Sequence, residues 1–415
     1  MRPDEVVALG ELAGDSVGGA VARIEDMHTS IAERVFNSVG AGAEPVRAVH
    51  DGVAKSVYAA VRVASSALLK TGATAVGAAS DPDDVSLTDR PGGRLALGAL
   101  NGAFGDRLVE RGSPLTEQLT VRRGGRDLEL NREALADVCP DASPRLALFL
   151  HGLCETDDAW RLRSARYVPY GDRLETELGY TSLYVNYNSG RHISDNGREL
   201  ARALATLLDS WPVGIEEIAF VGHSMGGLVA RSACHYGATS DWAQRVRHVF
   251  TLGCPHTGAP LERAANAAAS ALALLPETRG LAKALNLRSA GIKDLRYGYV
   301  IEEDWFGHDP DIYLRNTGRE IPFLETANHY FVCATLSRDS DGPLSRLFGD
   351  WLVLSSSAWA SGGRGQRLRF PVDNYRHYGG ASHFDLLNHP AIYEQLRRWL
   401  TGRPALPAPE PVTSG

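Results

Sequence analysis

Cysteine is scarce in this chain and poorly spaced for metal or disulfide chemistry. The five residues, Cys139, Cys154, Cys234, Cys254 and Cys333, are odd in number and include no C-x-x-C pair, which argues against a zinc site and a disulfide framework. Free thiols are expected, with no metal and no cofactor. Lysine is scarcer still, occurring only at Lys55, Lys70, Lys283 and Lys293. With a formal net charge of −7, the chain lacks the basic footprint of a nucleic-acid binder. Long uncharged apolar runs are also missing. The most apolar region, Val53–Ala79, is interrupted by Lys55, Arg62 and Lys70, so no stretch supplies the ~20 apolar residues of a membrane-spanning helix. The first residues carry acids where a signal peptide carries bases, and cytoplasmic residence is the default expectation.

The 415 residues suit one large α/β domain plus an accessory segment. Val17, Val21, Ile24, Ile31 and Val35 recur at helical spacing, and after Gly40-Ala41-Gly42 the pattern resumes from Val46 to Leu68. A third helix is expected over Leu95–Val109, making 1–112 an α-helical segment. Its apolar stripes serve packing against one another or against a neighbouring domain. The alternative is a weak peripheral contact with a lipid surface, because the second helix carries Arg47, Lys55, Arg62 and Lys70.

Over 113–145 we expect a β-hairpin and a linker. Leu119–Arg123 and Arg126–Leu130 flank Gly124-Gly125, a dipeptide suited to a two-residue turn at positive φ. From 146 to 403 apolar runs alternate with helix-like segments. The runs are Leu146–Leu150, Ser182–Tyr187, Ile218–Val221, Val246–Leu252 and His329–Leu336, which predicts an α/β fold with a doubly wound, mostly parallel sheet. Ligands then bind beyond the carboxyl ends of the strands. The interval 257–325 exceeds an ordinary crossover. Helices are expected there at Ala259–Leu275, Arg279–Leu287 and Ser289–Arg296, and the insertion is either a lid over the active edge or a cap that shields the core. Residues 404–415 read as a disordered tail.

The densest signal is Gly222-His223-Ser224-Met225-Gly226, preceded by an apolar strand and followed by a helical pattern. Strand, tight turn and helix are what a nucleophile elbow requires, with glycines where side chains would collide with the neighbouring elements. Ser224 is therefore the candidate nucleophile, and the Met225 N–H opening the helix a candidate oxyanion donor. The second donor is placed by position at the N–H of Leu153, after His151-Gly152. A serine hydroxyl needs a histidine to take its proton and a carboxylate to orient that histidine. His383 follows a strand-like Asn374–Tyr378 and precedes a helical pattern, with His389 second because Pro390 suits a helix entrance. Asp350 in Gly349-Asp350-Trp351-Leu352-Val353 is the candidate acid, with Asp341 and Asp339 as alternatives.

These landmarks resemble, in order, those of α/β-hydrolase lipases: His151-Gly152-Leu153, Gly222–Gly227, Gly253-Cys254-Pro255-His256-Thr257-Gly258, Gly349–Val353 and Ser382-His383-Phe384-Asp385. The branch they are most similar to is that of bacterial esterase/lipase proteins like the GPI inositol-deacylases, over roughly 145–400. Trp351 stands where relatives commonly have Gly, and Cys254 where they commonly have Thr. The resemblance implies a serine acyl-ester hydrolase with Ser224, Asp350 and His383 as triad and Leu153 and Met225 as oxyanion donors; the apolar insertion suggests a medium or long acyl group, with lipid esters among the candidate substrates. An acyltransferase built on the same triad and a non-catalytic lipid- or partner-binding scaffold are the rivals. Oligomeric state is not legible.

Overall fold

Strands with apolar residues on both faces form the middle of one sheet. The computed structural model describes residues 1–39, 44–81, 83–90, 92–335 and 371–402. Its strands are β1 Thr120–Arg123, β2 Arg126–Asp127, β3 Arg145–Leu150, β4 Thr181–Asn186, β5 Glu217–His223, β6 Val246–Leu252, β7 Asn328–Thr335 and β8 Tyr375–Gly379. They lie in the order β2-β1-β4-β3-β5-β6-β7-β8. From β4 to β8 neighbours are parallel, and β1 is antiparallel to both β4 and β2. The expected doubly wound, mostly parallel sheet is present. Gly124 and Gly125 have φ of 58° and 79° and make the expected hairpin turn, although β2 ends at Asp127 rather than Leu130.

Alternation along each strand divides the core into two layers. Leu146, Leu148 and Leu150 of β3 pack with Ile218 and Phe220 of β5 against helices at Ile193–Ser210 and Met225–Tyr236. Ala147, Phe149 and Val221 face the other way, toward Tyr170 and Leu174 of a helix at Tyr170–Leu178 and Ile392, Leu396 and Trp399 of the last helix, Pro390–Leu400. The sequence reading missed Tyr170–Leu178 and a two-turn helix at Arg132–Val138. Both are short and offer few periodic apolar residues. The five cysteines are free, as expected.

At the N-terminus, Pro3–Val39 and Glu44–Ala79 form an antiparallel hairpin. Acids of the first helix meet bases of the second: Arg62 bonds Glu25 at 2.9 Å and Lys70 bonds Asp15 at 2.6 Å. The third helix, Gly93–Glu110, packs on the first through Leu97 and Leu108, which cluster with Ala8, and also lies on the sheet domain. It packs through glycines, since a Cβ on Gly102 would sit 2.3 Å from Cys154 Sγ. Two further bonds fasten it, Ser289 Oγ donating to the Gly102 carbonyl at 2.6 Å and Asn188 Nδ2 to that of Gly105 at 3.1 Å.

Between β6 and β7 stand three helices, Pro260–Ala273, Arg279–Leu285 and Ala290–Asp294, close to the expected bounds. The N-terminal hairpin touches the middle one, where Lys283 Nζ meets Asp26 Oδ2 at 2.7 Å. Among the described residues no helix is long and apolar enough to cross a membrane.

Candidate active site

β5 carries the chain into a sharp turn at Ser224, whose φ of 52° and ψ of −120° lie outside the regions an L-residue normally occupies. What holds it there is close packing of backbone. A Cβ on Gly222 would come 2.5 Å from the Gly227 amide nitrogen, and one on Gly226 would come 2.4 Å from the Leu150 carbonyl oxygen. The Ser224 N–H donates to the Leu252 carbonyl at 2.8 Å, tying the turn to β6. The helix Met225–Tyr236 starts immediately after. Its first N–H groups have no acceptor inside the helix, which leaves the Met225 N–H available to a ligand.

Ser224, His383 and Leu153 line one cavity of about 330 Å³, whose walls include Leu261, Ala265, Ile292, Leu295 and Phe384. Most of the wall comes from the insertion between β6 and β7, so the insertion roofs the carboxyl end of the sheet. His383 follows β8 in a short turn and is 3% exposed. That turn is fixed by Asp385, whose carboxylate accepts from the Ser382 N–H at 2.6 Å and Oγ at 2.7 Å and pairs with Arg163. His389 caps the last helix, accepting from the Ala391 N–H at 3.3 Å, which is the helix-entrance position expected for it. Asp350, Asp341 and Asp339 lie outside the described residues. Ser224, His383, Leu153 and Met225 are thus gathered at one end of the sheet.

Two histidines beside the elbow are wholly buried. His151 donates through Nδ1 to the Gly152 carbonyl at 2.8 Å and accepts through Nε2 from the Tyr187 N–H at 3.2 Å; burial brings its pKa down to about 4. Its ring is neutral and structural. His223 contacts Glu155 Oε2 through Nδ1 at 3.1 Å, and the same oxygen receives the Gly152 N–H at 2.6 Å. Burial pushes the Glu155 carboxyl upward, but the charge and hydrogen bond of His223 and the Gly152 N–H outweigh it and hold the group at about 2. Sequence reasoning missed this pair. The available signal was a carboxylate three residues past the His-Gly that ends β3, where an apolar lining is otherwise expected. Cys254 lies beneath the elbow, buried, its thiol pushed far up by burial and so unreactive. Among the described residues no group of three or more His, Cys, Asp or Glu is placed to hold a metal ion.

Comparison with known proteins finds similarity over part of the chain. The model of the family described as "PGAP1-like alpha/beta domain" matches residues 147–308. No curated protein matches the chain. Among solved structures, the mature form of the Bacillus licheniformis lipase BlEst2 is 19% identical, over 62% of this chain and 92% of that one, with a TM-score of 0.38. The lin2722 product of Listeria innocua is 16% identical over 62% and 93%, with a TM-score of 0.35. Phospholipase PlaB of Legionella pneumophila is 12% identical over 63% and 57%, also at 0.35. Residues 147–308 are thus similar to the PGAP1-like alpha/beta domain, and the strand order with its strand–elbow–helix at Ser224 is that of an α/β-hydrolase fold.

Proposed function

We propose that this protein hydrolyses carboxylic esters with medium or long acyl chains through an acyl-enzyme on Ser224. The observation that carries the reading is the strained Ser224 at the elbow sharing an apolar cavity with a buried His383. His383 removes the Ser224 proton as Oγ bonds to the carbonyl carbon, and the N–H groups of Leu153 and Met225 receive the developing oxyanion. The C–O bond then breaks, the alcohol leaving with the proton from His383. Water enters, gives its proton to His383, and the acid departs as Ser224 is restored. Asp350 is the carboxylate assigned to orient His383. The apolar walls favour the acyl chain, and Arg288 separates them from a polar cavity of about 220 Å³ bordered by His192, Lys293 and Asp294, which suits the alcohol portion.

A panel of p-nitrophenyl esters of graded chain length, run with the wild type and Ser224→Ala, tests this. The variant is expected to lose at least about 10⁴-fold in kcat, and the wild type to prefer the longer acyl groups. Unchanged turnover in Ser224→Ala would overturn the reading. Asp350→Asn should lower kcat by about 10⁴-fold if that residue orients His383, and a loss under about ten-fold would move the acid elsewhere.

A further inference from the structure

The hydrogen bonds around the elbow assign its two buried histidines different charges. His151 has a donor on one side and an acceptor on the other, so one ring proton satisfies both nitrogens. His223, also 0% exposed, has an acceptor on each side. Its Nδ1 lies 3.1 Å from Glu155 Oε2, and its Nε2 lies 3.3 Å from the main-chain carbonyl oxygen of His383. A carbonyl has no proton to offer, so Nε2 must donate. Oε2 already receives the Gly152 N–H at 2.6 Å, as an ionised carboxylate oxygen does and a carboxylic hydroxyl does poorly, so Nδ1 must donate as well.

We propose that His223 is a standing imidazolium, ion-paired with Glu155, and that the pair positions the two sides of the active site against each other. Through Glu155 it grips the Gly152 peptide, one residue before the Leu153 N–H. Through Nε2 it grips the main chain of His383. Neither residue touches a reacting atom in this scheme; both act through their neighbours. Other titratable groups facing the pair are His151, just past β3, Cys154 and Tyr187 beside Glu155, and His383 itself, whose ring centroid is 4.6 Å from that of His223. Trp160 and Phe384 close the remaining sides at 6.3 and 6.2 Å. A cation left in this dry setting without Glu155 would be costly.

The positioning role rests on the acyl-enzyme reading; the protonation state does not. Histidine-selective ¹⁵N NMR of the full chain at about pH 8, above the ordinary imidazole value of about 6.5, reads the charge directly. The wild type should show a ring with both nitrogens protonated whose signal vanishes in His223→Gln. In Glu155→Gln that ring should fall to one proton, with kcat reduced roughly 10- to 100-fold and KM for a short ester changed less than about two-fold. A singly protonated His223 in the wild type overturns the proposal at any level of activity. A doubly protonated His223 together with full kcat in Glu155→Gln overturns the positioning role alone. If Glu155→Gln does not fold, the wild-type spectrum still decides the charge and Glu155→Asp the kinetics. Should Ser224→Ala retain turnover, the acyl-enzyme reading fails while the spectrum stands.

Discussion

At single positions, close approach of backbone decides what the elbow tolerates. A Cβ on Gly226 would meet the carbonyls of Leu150 and His151 at 2.4 and 2.6 Å, and neither can yield without moving β3. Gly226→Ala is expected to lower the unfolding free energy by at least about 1–3 kcal/mol. Gly52→Ala, mid-helix with nothing within 4 Å, should gain about 0.5–1 kcal/mol; urea unfolding of the two variants checks the contrast. Two buried carboxyls should give opposite pH signatures. Glu155 is held at about 2 in the fold against an ordinary value of 4.5, so its contribution is complete above about 4.5 and disappears as pH falls toward 2. Glu117 is raised by burial to about 7 from 4.5, against the opposing hydrogen bond of Asn186. Its contribution is complete below about 4.5 and is lost as pH rises through 7. Thermal melting from pH ~3 to ~8 should accordingly show Glu117→Gln gaining on the wild type at the alkaline end, and Glu155→Gln losing less than the wild type at the acid end. Ser224 and His383 were legible because each sits in a local pattern. The Glu155–His223 pair was not, since 68 residues of chain separate its members and no local rule joins them.

Among the elements, the insertion was legible from its alanine and leucine spacing, and its three helices begin within a residue or so of the expected positions. What the sequence could not say is that the N-terminal hairpin leans on them. Lys283 and Asp26 are well exposed, so their ion pair should matter little. Lys283→Ala is expected to shift stability by less than about 0.5 kcal/mol. Gly280 is different, because its Cβ would lie 2.9 Å from the Arg23 carbonyl oxygen. Gly280→Val should prise the hairpin from the insertion, raising amide exchange across 276–285 while leaving β5 and β6 protected. Unaltered exchange there would mean the insertion stands without that support. The helix at Tyr170–Leu178 escaped detection because only Tyr170, Gly171 and Leu174 are buried, too few to establish a period.

For the molecule as a whole, the sheet could be read from its apolar runs, but the destination of charge could not. Three of the four bases that made the second helix a candidate for lipid are engaged with acids: Arg47 with Glu33 and Asp51, Arg62 with Glu25, and Lys70 with Asp15. The full chain should therefore float with anionic vesicles no better than with zwitterionic ones. A strong preference for anionic vesicles would show that these pairs open at a surface.

Composition alone suggests trimming the molecule to its sheet domain by starting at 113. The glycine-lined face of Gly93–Glu110 makes that cut unsafe, because it would bare Cys154 and release Asn188 and Ser289 from the carbonyls they hold. The segment following Leu153 would lose its backing. Under the proposed ester hydrolysis, the smallest active piece should begin ahead of Gly93, and loss of the first two helices should cost less activity than loss of the third.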